Sequence, residues 1–163
     1  METIEELALE NKLLKEKIKH LEAELNSYRY DFLTGFKLSK DFNDLFNKYK
    51  LNNRNFYLTL VDINGLHFVN EQQGYLAGNS LIKRVARYLV DNFDGCIFRI
   101  GGDEFAILSA NKPTVPATDD FVYASTYSKD FKNTREMFKG TDKLIKKAKN
   151  ELYIKTGKER RKR

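Results

Sequence analysis

At 163 residues, 41% hydrophobic and 32% charged, the chain has material for one modest core and no second domain of ordinary size, so a single domain with extensions is expected. No apolar run approaches the roughly 20 residues of a membrane span, and the acidic, Leu-rich start lacks the basic-then-apolar layout of a secretion signal, which points to the cytoplasm with no membrane partner. The net charge of +6 is concentrated in Lys155 to Arg163, a basic tail over 155–163 that reads as a solvated end, so nucleic acid is not the expected partner.

In chain order, Ile4, Leu7, Asn11, Leu14, Ile18, Leu21, Leu25 and Tyr28 recur at alternating steps of three and four. That is the seam of a heptad helix, and residues 1–29 are expected to form a coiled-coil dimerisation helix. A helix packed on its own domain would want a broader stripe, an option that Leu9 and Leu13 keep open. Asn11 on the seam favours a two-stranded parallel homodimer, where a buried amide meets its mate. Thr34-Gly35 breaks the pattern, and a second helix is expected from Ser39, as N-cap, to Asn52-Asn53. Phe56 to Ile63 reads as a buried central strand, followed by a Gly-containing connection and a helix over 78–93. Cys96 to Ile100 and Phe105 to Leu108 form a hairpin around Gly101-Gly102-Asp103-Glu104, with Cys96 expected as a small buried thiol. A loop with Pro113 and Pro116, a strand over 121–127 and a Lys-rich helix over 142–154 complete the domain, 30–154.

Asp62 at the end of an apolar strand and Asp103 and Glu104 at a hairpin tip are carboxylates that repel one another unless neutralised. A hard divalent cation, Mg2+ or Mn2+, is the usual solution, and such ions activate an attacking hydroxyl in phosphoryl transfer. Gly101 and Gly102 let a bulky nucleotide approach the backbone. On turn chemistry alone the same hairpin also reads as a tight turn with solvated acids.

Arg99-Ile100-Gly101-Gly102-Asp103-Glu104-Phe105 resembles the signature of GGDEF-domain diguanylate cyclases. Asp31-Phe32-Leu33-Thr34-Gly35 is similar to the family's opening D-x-L-T-G, and Asp62-Ile63 through Asn70, Gly74, Gly78 and Leu81 follow its next motif in register. The resemblance covers about residues 31 to 109. It implies an α+β palm-like, ferredoxin-like domain with a sheet containing antiparallel strands, preceded by the coiled-coil helix. It implies condensation of two GTP into cyclic di-GMP across a homodimer of half-sites. Asp62, the Ile63 carbonyl and Asp103 would hold the metal, with Glu104 supporting the same cluster and acting with Asp62 and Asp103 in catalysis. The backbone of Gly65, Leu66 and His67 would cradle phosphates, Asn70 and position 79 would face guanine, and Lys149, or on a competing alignment Lys155, would contact phosphate.

Four positions depart from the pattern: Asn64 and Asn79 stand where the family has acids, His67 where it has Lys, and Tyr75 where it has His. An amide at 79 offers a donor as well as an acceptor, which opens the site to adenine. The inhibitory R-x-x-D motif is absent, with Asn92 and Gly95 at its positions, and the space between hairpin and next strand is too short for the family's helix. The leading expectation is a metal-dependent cyclase acting on GTP or another nucleoside triphosphate. The alternatives are a cyclase with altered base preference, a degenerate domain that binds nucleotide, cyclic dinucleotide or a protein partner without turnover, and a coiled-coil adaptor whose basic tail binds nucleic acid.

Overall fold

The structure, a computed structural model, describes residues 3–116 and 118–156. In chain order these form α1 (Ile4–Arg29), β1 (Lys37–Leu38), α2 (Ser39–Leu51), β2 (Tyr57–Ile63), α3 (Leu66–Gln73), α4 (Tyr75–Asn92), β3 (Cys96–Arg99), β4 (Glu104–Ser109), β5 (Phe121–Tyr127) and α5 (Thr134–Thr156). The strands make one mixed sheet in the order β1-β3-β4-β2-β5, antiparallel except for β1 beside β3. This is the expected α+β architecture with a helix preceding the domain.

β2 lies inside the sheet between β4 and β5, and both of its faces are apolar. Val61 and Ile63, with Phe105, Ile107 and Phe121 beside them, pack under Leu81, Ile82, Val85 and Leu89 of α4. Leu58 and Leu60, with Ala106 and Leu108, pack on the other face against Phe42 and Phe46 of α2 and Met137 and Ile145 of α5. Each such side chain taken out of water contributes about 1.5–3 kcal/mol, so the two layers fix the sheet from both sides. β2 therefore holds its last residues, Asp62 and Ile63, in a rigid frame.

Several expectations need correction. Ser39 is the first helical residue of α2 rather than its N-cap; Leu38 takes the cap position with no side-chain bond, because β1 runs straight into the helix. Cys96 is exposed: β1 pairs with β3 only at Phe98 and Arg99, so the start of β3 lies beyond its partner. The connection after β2 contains α3, which buries none of its residues and so shows no apolar stripe. α4 begins at Tyr75, earlier than the expected 78. α5 begins at Thr134, two turns before 142, because Gly140 breaks the apolar pattern without breaking the helix: a Cβ there would meet the Phe131 ring. Asn133 caps its start, Oδ1 accepting from the Glu136 N–H at 2.9 Å, while Glu136 Oε2 accepts from the Lys132 N–H at 3.4 Å.

The described residues of the 110–120 connection hold no helix, as its length requires. Val115 from this connection fills the α4-side core instead, its carbonyl accepting from the Tyr123 hydroxyl at 2.6 Å. Where β2 and β5 run on past that cover, the Thr59 and Ser125 hydroxyls bond at 2.8 Å and Tyr57 stacks on Tyr127. Most of the tail, 157–163, lies outside the described residues.

Candidate active site

Alternation along β2 points Asp62 to the same face as Leu58 and Leu60, towards α5, and pairs it across the ladder with Glu104. There it is buried and forms an ion pair with Lys149 of α5. Burial pushes the Asp62 carboxyl up to about 6; Lys149 pulls it down, and the charges of Asp103 and Glu104 push it up further. Asp62 and Glu104 also line a cleft of about 260 Å³ between the sheet end and α5, walled by Ile100, Phe138, Asp142 and Ile145. Of the two lysines open from the sequence, Lys149 stands at the site, whereas Lys155 is exposed in the last turn of α5.

The hairpin tip is shaped by its backbone. The Glu104 carbonyl accepts from the Ile100 and Gly101 N–H groups at 3.0 and 3.2 Å, and the Asp103 carbonyl accepts from the Ile63 N–H at 2.9 Å, so strand and tip are stitched together. A Cβ on Gly101 would come within 2.8 Å of Glu104 Oε2, whereas Gly102 faces open space. Asp103 is half-buried and Glu104 exposed.

A charged relay ties this tip to the foot of α1. Arg99 Nη1 donates to both Asp31 carboxylate oxygens at 2.9 Å, and its Nη2 donates to the Gly102 carbonyl at 2.6 Å. Asp31 in turn accepts from the Thr34 N–H at 2.9 Å and hydroxyl at 2.7 Å. Burial raises its pKa, but Thr34 and Arg99 outweigh that and hold it below the ordinary carboxylate value. The Asp31 and Arg99 side chains are each only 11% exposed. Sequence reasoning treated both as parts of motifs and gave neither a role; the complementary charges flanking the two signatures were the available signal.

On the opposite side of β2, Gly65 adopts a left-handed conformation (φ 66°) that turns the chain into α3, whose first turn has no side-chain cap. An uncapped helix start at a strand end presents amide donors and the positive end of the helix dipole. His67 does not stand alone there, since its Nε2 pairs with Glu71 Oε1 at 3.0 Å. Asn70 lies against Gly78, where any Cβ would collide with its amide, and this brings it to the first turn of α4, which carries half-buried Asn79 and exposed Tyr75.

Among the described residues no three His, Cys, Asp or Glu side chains close into a ready-made metal cluster. The charges of Asp103 and Glu104 nevertheless bear on the buried Asp62 carboxyl, whose present counter-charge is Lys149. An all-oxygen acidic set of this kind fits a hard divalent cation.

Comparison with known proteins agrees with this geometry. Residues 28–121 match the family described as diguanylate cyclase, GGDEF domain. An uncharacterized membrane protein of Staphylococcus aureus strain USA300 is 31% identical over an alignment of 94 residues that covers 53% of this chain and 26% of that protein. The chain thus spans about a quarter of the length of such curated relatives. No described helix of this chain is long and apolar enough to cross a membrane. Among solved structures, the coiled coil and GGDEF domain of DgcB from Caulobacter crescentus, in complex with c-di-GMP, superimposes with a TM-score of 0.73 at 17% identity, covering 88% of this chain and 92% of that one. The diguanylate cyclase SiaD of Pseudomonas aeruginosa, in complex with its activator SiaC, gives 0.63 at 15% identity over 91% and 68%.

Proposed function

Because the chain belongs to the GGDEF-domain family, we propose that it condenses two nucleoside triphosphates, GTP first, into a cyclic dinucleotide such as cyclic di-GMP, with one nucleotide on each domain of a homodimer. The observation that carries this reading is the buried Asp62 carboxyl, set between the hairpin acids and Lys149 at the end of β2. Asp62, the Ile63 carbonyl, Asp103 and Glu104 would hold Mg2+ or Mn2+; when bound, the ion supplies charge for the phosphates and a lowered pKa for the attacking 3′-hydroxyl. Lys149 would leave Asp62 for a phosphate oxygen. The backbone of Gly65 to His67 offers donors to the phosphates, Gly101 and Gly102 leave room for the nucleotide, and Asn70 and Asn79 face the base.

Dimerisation would come from α1. Its seam residues Leu7, Leu14, Ile18, Leu21 and Leu25 are each at least 43% exposed, an apolar row without cover in the single chain. At 26 residues α1 extends about 39 Å, enough for a stable two-stranded seam that brings two half-sites within attacking reach.

A second reading, nucleotide binding without turnover, is favoured by the engagement of His67 with Glu71 and by the amide at Asn79. Incubation with Mg2+ or Mn2+ and GTP, ATP or both, read by mass spectrometry beside Asp103→Ala, separates the cases. A cyclic dinucleotide lost in Asp103→Ala supports the cyclase and reports its base; bound nucleotide with no product supports the second reading.

A further inference from the structure

Asn64 stands where the family has an acid, and the structure gives its side chain a partner that a carboxylate cannot satisfy. Immediately after β2, the Asn64 backbone N–H donates to the Asp120 carbonyl at 2.8 Å, while its side-chain Nδ2 donates to the Asp119 carbonyl at 3.1 Å. Both acceptors belong to the 110–120 connection. A carboxylate at position 64 has no proton to give and would turn its charge on a carbonyl oxygen. The same stretch is tied to α4, because the Asp120 carboxylate takes a two-pronged contact from Arg84, Nε at 2.7 Å and Nη2 at 2.8 Å. Farther back, Val115 is sunk in the α4-side core.

We propose that residues 118–120 form a strap holding the turn between β2 and α3, and that Asn64 is a positioning residue of this strap rather than a decayed metal ligand. The inference rests on the reading of Gly65 to His67 as the phosphate-binding turn. Only Asn64 and Gly65 separate β2 from α3, so they set where the first turn of α3 points. Gly65 by itself is permissive about that direction, its left-handed backbone meeting no steric check. The two Asn64 bonds supply the constraint, and Arg84 anchors their acceptors to the helix that carries Asn79. On this account the amide at 64 and the short connection belong together, since no helix among the described residues between β4 and β5 covers this edge.

The test uses the full chain with Asn64→Asp, Asn64→Ala and Arg84→Ala. Amide hydrogen exchange is read at residues 64–69 and 118–121, with β2 and β4 amides reporting the global fold, and Mg-GTP affinity is measured alongside. Each variant is expected to speed exchange in both segments about tenfold with the β2 and β4 amides unchanged, the loss of a bond or two in a locally opening segment. Mg-GTP affinity should weaken by a similar factor, at least as much for Asn64→Asp as for Asn64→Ala. Parental exchange and affinity in Asn64→Asp would overturn the proposal, and so would tighter binding of Mg2+ or Mg-GTP, which is the behaviour of a restored metal ligand. Faster exchange with unchanged affinity would overturn the positioning role. If the parent binds no Mg-GTP while exchange responds as described, the nucleotide reading fails and takes the positioning role with it, but the strap stands.

Discussion

α1 and α4 carry apolar residues at the same three-and-four spacing and meet opposite fates. In α4 the stripe is broad, with Leu81, Ile82, Val85, Ala86 and Leu89 all buried against the sheet. In α1 the apolar residues are uncovered, with Ile4 87% and Leu25 57% exposed on the heptad seam and Leu9 and Leu13 exposed beside it. The difference teaches that three-and-four spacing alone does not say whether a helix closes its own domain; on the proposed reading, the uncovered stripe of α1 is kept for a second chain. The first turn of α1 is set locally by a capping box, Glu6 N–H to Thr3 Oγ1 at 3.2 Å and Thr3 N–H to Glu6 Oε2 at 2.7 Å, so this helix has its own start signal apart from the core.

Substitutions that act on one helix and spare the other sharpen this contrast. The largest effect is expected in α4: Leu89→Ala, at a fully buried position, should cost about 3–4 kcal/mol in chemical denaturation, the usual range for an aliphatic core cavity. Arg99→Ala, between the two regions, should cost about 3 kcal/mol, because it strands the Asp31 carboxylate at the foot of α1. It should also abolish product formation, since it releases the Gly102 carbonyl at the hairpin; retained product would uncouple the foot of α1 from the site.

A smaller effect is expected at Asp62. Its folded pKa of about 6 lies above the ordinary 3.8, so the folded chain binds more protons between those values and loses stability as pH rises through that window. Asp62→Asn should therefore be about 1 kcal/mol more stable than the parent above pH 6 and equal to it below pH 4 when melting is followed across pH without metal. The smallest effect on the domain itself belongs to α1. Leu14→Ala should change domain stability by less than about 0.5 kcal/mol, as for an exposed position, while sedimentation shows dimer giving way to monomer.

How much was legible in the sequence follows from how each element is held. β5 could be read to the residue because Phe121 to Tyr127 is β-branched and aromatic between turn signals. The two signatures could be read because they resemble a family pattern, and the structure gives Asp31, Arg99 and Gly101 close contacts that few other residue types would fit. α3 was invisible because it packs without burying a side chain, and the start of α5 was hidden by Gly140, whose reason is a ring from outside the helix. Cys96 was misread because an apolar run does not reveal how far a neighbouring strand extends. At the site, the acids at 62, 103 and 104 were legible from their placement at strand ends. The sequence favoured Lys149 over Lys155 only through alignment to the family pattern, and the ion pair of Lys149 with Asp62, like the tie from Asn64 to Asp119, depends on long-range packing that no local pattern encodes.

The most direct test of the central claim, two half-sites joined by α1, is turnover per chain with Mg2+ and GTP measured across a dilution series, beside sedimentation at the same concentrations. The account predicts a cyclic dinucleotide whose rate per chain falls in step with the dimer fraction. Either a rate per chain that stays constant after the dimer has dissociated, or no cyclic product from protein of dimeric mass, would contradict it.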